Sequence, residues 1–383
     1  MSNLNQNLII VYISGSTASG KTSLTKNLFD RLINNKIPTK LISCDSVQLY
    51  KDITIGCNKD TIDHEIIDIK DLDESFDVDM FVEKCSGIVK DFSNKCNENE
   101  KKVIIISGGT IFYMERLYNI LSDKFSNKIF YLHNKRIDSY NKINYRCELM
   151  IRNNLLLEIV HLREKLQKGK ICKSIGYKQG LEFIYNIENL DIFKRFYSDF
   201  LELNLKKEIN SVEIADKIEL QLLSKIFYEN NLNIEDNINI IPQSLYYRVE
   251  SFVKSNKTIL YNLFHEFLAR FQVATRNYKR KQDCFARRLE KKNILSYLIK
   301  DCNKDKNIDI IIEYINKGTI ETISYSELGE GNNFKEFKCF KAENKIFLEN
   351  EDVDNLKECL ELFISYLVCK SYDSYNSYNS YNS

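Results

Sequence analysis

Gly15-Ser-Thr-Ala-Ser-Gly20-Lys21-Thr22 is the most informative segment of this 383-residue chain. It matches the phosphate-loop pattern G-x-x-x-x-G-K-[ST] at every fixed position. The apolar run at 8–14 is typical of a buried strand, and leucines at helical spacing through 20–34 predict a helix directly after the loop. A strand, a glycine-rich turn and a helix in this order predict a loop whose backbone N–H groups surround a phosphate.

Short apolar strands alternate with helical patterns in the first third of the chain. Further strands are predicted at 40–44, 102–107 and 128–133, with a helix at 78–92. This alternation is typical of an α/β fold with a P-loop NTPase-like parallel sheet flanked by helices, followed by a mainly helical second half. The helices predicted for that second half are 140–166, 191–200, 212–228 and 245–292.

The pattern divides the chain into four predicted segments. Residues 1–138 form the P-loop α/β core, and residues 139–295 form a mainly helical region that returns to the core. A small C-terminal appendage is expected at 296–370. Residues 371–383 repeat Ser-Tyr-Asn and are expected to be a disordered tail, because this composition cannot build a core.

Composition disfavours several classes of protein. The 55 Lys and Arg against 54 Asp and Glu give a net charge of +1, which gives no support to nucleic-acid binding through a bulk positive field. A local basic groove is still compatible with this balance. No apolar run approaches the roughly 18 residues that span a bilayer, and residues 1–12 lack the Lys or Arg of a leader peptide. We therefore expect a cytoplasmic protein with no membrane partner.

The phosphate loop carries its own chemistry. Lys21 supplies a mobile cation and the hydroxyl of Thr22 can bind Mg²⁺, so a di- or triphosphate ligand is expected. ATPases and GTPases place an Asp after a second apolar strand to hold the Mg²⁺ water shell. Here strand 102–107 leads instead into Gly-Gly-Thr110, and no Asn-Lys-x-Asp guanine motif occurs. The sequence therefore disfavours a motor ATPase or a GTPase switch.

Two polar residues follow neighbouring strands. Asp45 comes after strand 40–44, and Thr110 follows strand 102–107. Because the carboxyl ends of parallel strands share one edge, Asp45, Thr110 and the phosphate loop are expected to face one crevice. Alternatively, Asp45 only caps the turn that follows it.

Six stretches together resemble the isopentenyl (dimethylallyl) transferase family, which prenylates adenine at N6 and includes adenylate and tRNA dimethylallyltransferases. Together they span residues 8 to about 290, with divergent sequence between them. The stretches are Gly15–Thr22, Asp45-Ser-Val-Gln-Leu-Tyr-Lys-Asp-Ile-Thr-Ile-Gly56, Asp63-His-Glu-Ile-Ile-Asp68, Ser107-Gly-Gly-Thr-Ile-Phe-Tyr113, Ser174-Ile-Gly-Tyr-Lys-Gln179 and Ala274-Thr-Arg-Asn-Tyr-Lys-Arg-Lys-Gln282.

The resemblance implies a prenyltransferase that uses dimethylallyl diphosphate and Mg²⁺. Asp45 would be the base that takes the N6 proton, Thr110 would position Asp45 or the diphosphate, and Arg276 would neutralise the leaving group. Ser46 and Gln48 would lie on the acceptor side. Thr22 would hold the metal. The residues implied to bind the diphosphate are Gly15, Ser16, Thr17, Ala18, Ser19, Gly20, Lys21, Thr22 and Lys178; Arg276 and Lys178 could instead be solvated helix charges.

The acceptor depends on the branch of the family. The tRNA branch inserts a helical segment before the strand that here is 128–133, and this chain is too short there. That favours a free adenine nucleotide (AMP, ADP or ATP), giving isopentenyladenine nucleotides for cytokinin biosynthesis. Asp45–Gln48 and Ser174–Gln179 are closer to the tRNA branch, so a tRNA dimethylallyltransferase is the alternative, and a P-loop small-molecule kinase is a remote one. The basic run Lys279–Lys281, together with Arg287 and Arg288, is either a solvated helix face or a nucleic-acid edge. We expect a monomer.

Overall fold

The computed structural model describes residues 5–57, 59, 64–94, 100–205, 243–299, 304–320 and 359–370. Three predictions fall wholly or partly outside these ranges. They are the helix at 212–228, most of the appendage at 296–370 and the tail at 371–383.

A five-stranded parallel sheet in the order β2-β3-β1-β4-β5 confirms the predicted α/β class. The central strand β1 is buried along most of its length, which explains its run of Leu, Ile and Val. The fifth strand was not predicted, because its five residues follow a long helix without a clear turn signal. The strands are β1 Asn5–Gly15, β2 Thr39–Ser43, β3 Lys102–Ser107, β4 Phe125–His133 and β5 Leu295–Ile299.

Helices make up most of the remaining described chain. Two predicted helices are each interrupted in the structure: 140–166 breaks where Asn154 takes a positive φ of 71°, and 245–292 breaks at Asn256. The helices are α1 Lys21–Asn34, α2 Val78–Asn94, α3 Ile111–Leu121, α4 Arg136–Arg152, α5 Leu155–His161, α6 Arg163–Lys168, α7 Tyr177–Glu188, α8 Asp191–Leu205, α9 Gln243–Ser255, α10 Lys257–Glu290, α11 Lys304–Lys317 and α12, residues 359–370. Lys170–Lys173 is a 3₁₀ turn.

The chain forms two compact units, each assembled from three separate stretches. The first unit is Met1–Lys51, Lys59–Tyr145 and Ala274–Glu343, and the second is Asp52–Asn58, Arg146–Val273 and Asn344–Ser383. The sequence predicts a different division, into consecutive segments that end at 138, 295 and 370. That division stays a prediction.

The first unit contains the sheet and the phosphate loop. The leucines at 24, 28 and 32 on α1 are buried against strand residues and against Ile311 of α11, so this face of the sheet is covered by apolar side chains. At the edge where the strands end, Gly108 lies so close to β2 that a Cβ there would come 2.0 Å from the carbonyl oxygen of Cys44. Only glycine fits this position without moving the backbone.

A buried carboxylate on α5 binds a backbone loop within the second unit. Glu158 is 1% exposed, and it accepts the backbone N–H groups of Thr54, Ile55 and Gly56 at 2.8, 2.8 and 3.1 Å. The hydroxyl of Tyr177 donates to it at 2.7 Å. A buried charge is tolerated when donors satisfy it in this way, so Glu158 fixes the loop at 54–56.

The connection from α3 to β4 is short. Only residues 122–124 lie between Leu121 and Phe125, so the brief passage inferred from the sequence is confirmed. Within the described ranges, none of the helices combines the length and the apolar character needed to cross a membrane.

Candidate active site

The phosphate loop curls through two residues in the left-handed region. Ala18 has a φ of 60° and Gly20 a φ of 96°, a conformation that directs successive N–H groups toward one point. The loop ends at the N-terminus of α1, whose first turn contains no acidic residue. The hydroxyls of Ser16 and Ser19 are buried with no hydrogen-bond partner. These unpartnered hydroxyls and the helix N-terminus together suit an anion.

Lys21 arches over the loop that precedes it. Its Nζ donates to the carbonyl oxygens of Gly15 and Ser16, both at 2.9 Å. A Cβ on Gly15 would lie 2.6 Å from Ser19 Oγ and 2.8 Å from the Leu132 carbonyl oxygen, so glycine is required here. The ammonium therefore sits at the mouth of the loop, where a diphosphate would bring its charge.

Asp45 and Thr110 lie at adjoining strand ends, as the sequence predicts. The Thr110 N–H donates to the Cys44 carbonyl oxygen at 3.2 Å, and Thr110 Oγ1 accepts the Ser46 N–H at 3.1 Å. Asp45 Oδ1 accepts the N–H of Val47 at 2.9 Å. Thr110 thus fixes the backbone next to Asp45 rather than its carboxylate. On the same segment, Gln48 Oε1 accepts the hydroxyl of Ser43 at 3.0 Å.

Gln282 joins the phosphate loop to this strand edge and was missed as a site residue. Its Oε1 accepts the N–H of Thr17 at 2.9 Å, and its Nε2 donates to the Gly109 carbonyl oxygen at 3.0 Å. A Cβ on Gly109 would lie 3.0 Å from Gln282 Nε2 and 3.8 Å from Asp45 Oδ2. The structure therefore brings Asp45, Gly109, Gln282 and the loop together. The sequence did contain one signal for Gln282, because it is the last residue of the stretch 274–282 that resembles the isopentenyl (dimethylallyl) transferase family.

Tyr278 is a second residue that sequence reasoning missed. Its hydroxyl donates to the Gly109 carbonyl oxygen at 3.4 Å, one turn of α10 before Gln282. Burial and then the nearby Asp45 carboxylate raise the pKa of Tyr278 above its usual range, while the side chains of Gln282 and Thr110 lower it. The phenol therefore stays protonated, as its donation to the Gly109 carbonyl oxygen requires.

Arg276 and Lys178 have partners that the sequence did not indicate. The guanidinium of Arg276 donates to Asn144 Oδ1 at 2.5 Å and lies 5.9 Å from the centre of the Tyr140 ring. Lys178 belongs to the second unit, where its Nζ is 3.8 Å from the Glu182 carboxylate. The diphosphate roles of both residues stay predictions.

The basic run on α10 is not a uniform solvated face. Lys279 is 1% exposed, whereas Arg280 and Lys281 are exposed. Further along the helix Arg288 binds the buried Glu115 at 2.9 Å. Burial of Lys279 excludes it from direct contact with a nucleic acid.

The donors near the loop suit Mg²⁺ bound together with phosphate. Thr22 is exposed at the second position of α1, where its hydroxyl is available as one oxygen ligand. Mg²⁺ commonly takes one or two protein oxygens and completes its shell with phosphate oxygens and water. Among the described residues, no cluster of three or more His, Cys, Asp or Glu could hold a metal.

The fold and this site define a P-loop-like α/β protein whose glycine-rich loop would suit a phosphorylated ligand beside a carboxylate. The family model described as IPP transferase (IPPT) matches residues 48–129 and 121–210. This matched part of the chain is similar to the IPP transferase family.

The relatives found in sequence comparisons are named tRNA dimethylallyltransferase, a family of prenyltransferases. The protein of Oenococcus oeni is 28% identical over 200 residues, covering 46% of this chain and 74% of the relative. That of Hydrogenobaculum sp. is 29% identical over 205 residues, covering 52% of each chain. That of Francisella philomiragia is 36% identical over 122 residues, covering 30% of this chain and 36% of the relative.

Two solved structures share the fold. The tRNA isopentenylpyrophosphate transferase of Bacillus halodurans has a TM-score of 0.51 at 17% identity, covering 80% of this chain and 95% of that chain. A eukaryotic dimethylallyltransferase acting on tRNA has a TM-score of 0.53 at 15% identity, covering 82% and 81%. At such identities the similarity concerns the fold.

Proposed function

We propose that this protein transfers a dimethylallyl group from dimethylallyl diphosphate to N6 of an adenosine in tRNA. The observation that carries the proposal is the position of Asp45, whose carboxylate lies beside Gly109 and Gln282 while Gln282 binds the phosphate loop. Gly109 and Gln282 thereby keep Asp45 close to the phosphate loop, as a base acting beside a bound diphosphate would require. The names of the relatives support tRNA as the acceptor.

The phosphate loop would hold the donor by its diphosphate. During transfer the allylic C1–O bond breaks, and the diphosphate leaves with the electron pair and added negative charge. Lys21, whose ammonium now binds carbonyl oxygens of the loop, and the N-terminus of α1 would neutralise that charge. Mg²⁺ held by the Thr22 hydroxyl and the diphosphate oxygens would supply further positive charge when bound. Preorganised charges of this kind stabilise a transition state without moving.

Asp45 would act on the acceptor. The N6 lone pair of adenine is delocalised into the ring, so nitrogen attacks the allylic carbon more readily as its proton is removed. The carboxylate would accept the N6–H hydrogen bond and take that proton while the N6–C1 bond forms. Thr110 would keep Asp45 in place through its bond to Ser46. General base catalysis of this kind contributes about 10²–10⁴-fold.

A free adenine nucleotide is the second candidate acceptor. The specific observations that favour it are the short connection at 122–124 and the net charge of +1, since a tRNA is held through many phosphate contacts. The relatives named here give this candidate no support, and the cytokinin-forming product was an expectation of the sequence. The monomeric state and cytoplasmic location likewise stay predictions.

Labelled dimethylallyl diphosphate tests both acceptors in one experiment. The protein would be incubated with Mg²⁺ and either unmodified tRNA or AMP, ADP and ATP, with Asp45→Asn as the matched inactive control. We expect label in tRNA with the native sequence and none with the variant. Label in the nucleotides alone would show that a free nucleotide, and not tRNA, is the acceptor. Label in no acceptor would overturn the proposal of prenyl transfer to adenine.

A further inference from the structure

One side of α10 carries exposed cations around an aromatic ring. Lys281, Phe285 and Arg288 lie in the helix, and Lys292 lies in the turn that follows it. Their spacings of four, three and four residues place the four side chains on one side of the helix. The three cations are exposed and Phe285 is half-buried. These four residues, the α10 stripe, present positive charge to solvent.

The positive charge of the α10 stripe exceeds what its carboxylate partner neutralises. Glu115 of α3 is 6% exposed, and its two oxygens accept Arg288 Nη2 at 2.9 Å and Lys292 Nζ at 2.6 Å. One carboxylate therefore faces two cations, and Lys281 adds a third positive charge to the stripe. Arg288 Cζ also lies 3.9 Å from the centre of the Phe285 ring, a close cation–π contact. The guanidinium is thus held in place while its side chain stays 54% exposed.

An exposed phenylalanine on α3 extends the α10 stripe. Phe112 is 46% exposed, and its ring meets that of Phe285 at 78° with the ring centres 6.5 Å apart. An open aromatic ring beside cations suits a nucleotide, because the base can stack on the ring and the phosphates can contact the cations. The unpaired bases of an RNA loop are free to stack in this way. An acidic peptide would complement the cations alone.

The α10 stripe begins next to the candidate active site, within the first unit. Gln282, the neighbour of Lys281, donates to the Gly109 carbonyl oxygen, and a Cβ on Gly109 would lie 3.8 Å from Asp45 Oδ2. Phe112 follows Gly109 by three residues. From this end the stripe extends for roughly 16 Å, at about 1.5 Å per helical residue. Nucleotides lying along it would therefore lead to the carboxylate of Asp45.

We propose that the α10 stripe and Phe112 bind the unpaired nucleotides next to the acceptor adenosine of an RNA substrate. The inference rests on the proposed function, because it requires an RNA acceptor. Phe112 stacks on one base, and Lys281, Arg288 and Lys292 contact phosphates. Of the two roles considered for the basic run, the nucleic-acid edge thus applies to the exposed Lys281 and Arg288.

The phosphate contacts are tested with a fluorescently labelled RNA hairpin whose loop contains unpaired adenosines. Its affinity for the full chain is measured by anisotropy over a series of salt concentrations, with unmodified tRNA as the competitor. Lys281→Gln and Lys292→Gln should each weaken binding severalfold. Each should also make the dependence of log affinity on log salt concentration shallower by about 0.7, the value for one single-strand phosphate. The matched control is Lys317→Gln, which removes an exposed lysine paired with a glutamate on α11 and should retain native affinity.

The stacking contact has a different signature. Phe112→Ala should weaken binding of the hairpin on the order of tenfold, as for the loss of one stacked base, and leave the salt dependence unchanged. Phe112→Tyr keeps an aromatic ring and should retain native affinity. A merely structural role would lower the urea midpoint and would not separate affinity from salt dependence in this way.

Three results would overturn the inference. They are native RNA affinity in Phe112→Ala, an unchanged salt dependence in both lysine variants, and binding of polyglutamate as tight as that of the hairpin. The last would assign an acidic protein partner to this surface. The proposed function survives all three if label from dimethylallyl diphosphate still reaches tRNA. A native chain that neither binds RNA nor transfers label to tRNA would instead remove the proposed function itself.

Discussion

Gln282 and Thr17 lie 265 positions apart in the chain, yet the side-chain oxygen of Gln282 accepts the N–H of Thr17 at 2.9 Å. The same amide donates to the Gly109 carbonyl oxygen. One side chain therefore sets the separation between the phosphate loop and the turn beside Asp45. An amide can do this because it carries a donor and an acceptor together.

Replacing Gln282 by Leu should loosen both the fold and the site. The Thr17 N–H and the Gly109 carbonyl lose their partner, and each unsatisfied buried group costs about 1–3 kcal/mol. We expect a lower free energy of unfolding in urea and weaker diphosphate binding. Gln282→Glu is the matched control: it keeps the acceptor for Thr17 but places an anion against the Gly109 carbonyl. Native stability in Gln282→Leu would contradict a bridging role.

Asp45→Asn should abolish turnover while diphosphate binding survives. The amide keeps the size of the side chain and an acceptor for the Val47 N–H, but it cannot take a proton. Loss of a general base typically costs about 10²–10⁴-fold in rate. Single-turnover rates with tRNA measure the effect, and calorimetry with diphosphate serves as the control. More than about a tenth of native turnover would be incompatible with a base role of that size.

Lys21→Ala and Arg276→Ala should each reduce turnover. One electrostatic donor at a developing charge is worth about 10²–10³-fold. For Lys21 the effect should appear in diphosphate affinity as well, because its ammonium lies at the loop mouth. For Arg276 the comparison is Asn144→Ala, which removes one partner of the guanidinium and leaves the charge in place. Native kinetics in Arg276→Ala would identify Arg276 as a structural residue.

Glu158→Leu should strongly destabilise the protein. The substitution leaves the N–H groups at 54–56 and the Tyr177 hydroxyl without their acceptor. At about 1–3 kcal/mol for each unsatisfied group, several kcal/mol are at stake. Glu158→Gln should cost less, since one oxygen remains. As a control, Glu182→Gln removes a partner from exposed pairs worth about 0–1 kcal/mol. Equal urea midpoints for the Glu158 and Glu182 variants would contradict this account.

His265 should make the protein less stable in mild acid. Burial lowers the pKa of His265 from its usual 6.5, and its Nδ1 is buried without a partner. Between that lowered pKa and 6.5 the unfolded chain binds more protons than the folded chain, so the free energy of unfolding falls as pH decreases through this window. In His265→Leu, the free energy of unfolding should depend less steeply on pH between pH 7.5 and 5. Above pH 7.5, the difference in the free energy of unfolding between the variant and the native protein should be constant. An unchanged slope in urea titrations would refute the assignment.

The parts of the site that could be predicted are those fixed by strand ends. Asp45 and Thr110 follow neighbouring parallel strands, and the geometry of a doubly wound sheet places such residues together without any knowledge of side-chain packing. The phosphate loop was equally accessible, because its glycines meet backbone requirements that are local in sequence. For the same reason the short alternating strands predicted the α/β class.

The rest depended on tertiary packing. Gln282 and Tyr278 are polar residues in the C-terminal half of a 34-residue helix, and periodicity does not reveal which of its faces meets the loop. Lys279 looked like one charge in a basic run, because its burial depends on Asp283 and Tyr131. The strand β5 is short and lies at the edge of the sheet, where its pairing with β4 compensates for a weak local pattern.

The three-part construction of the first unit has a consequence for synthesis on the ribosome. The first four strands emerge early, but β5 and the helix segment bearing Gln282 follow only after the stretch Arg146–Val273 has been made. Until then the nascent chain exposes the flank of β4, an unpaired edge open to wrong association. Contacts separated so widely along the chain also slow folding. The phosphate loop is therefore among the first parts to be synthesised and among the last to reach its final shape.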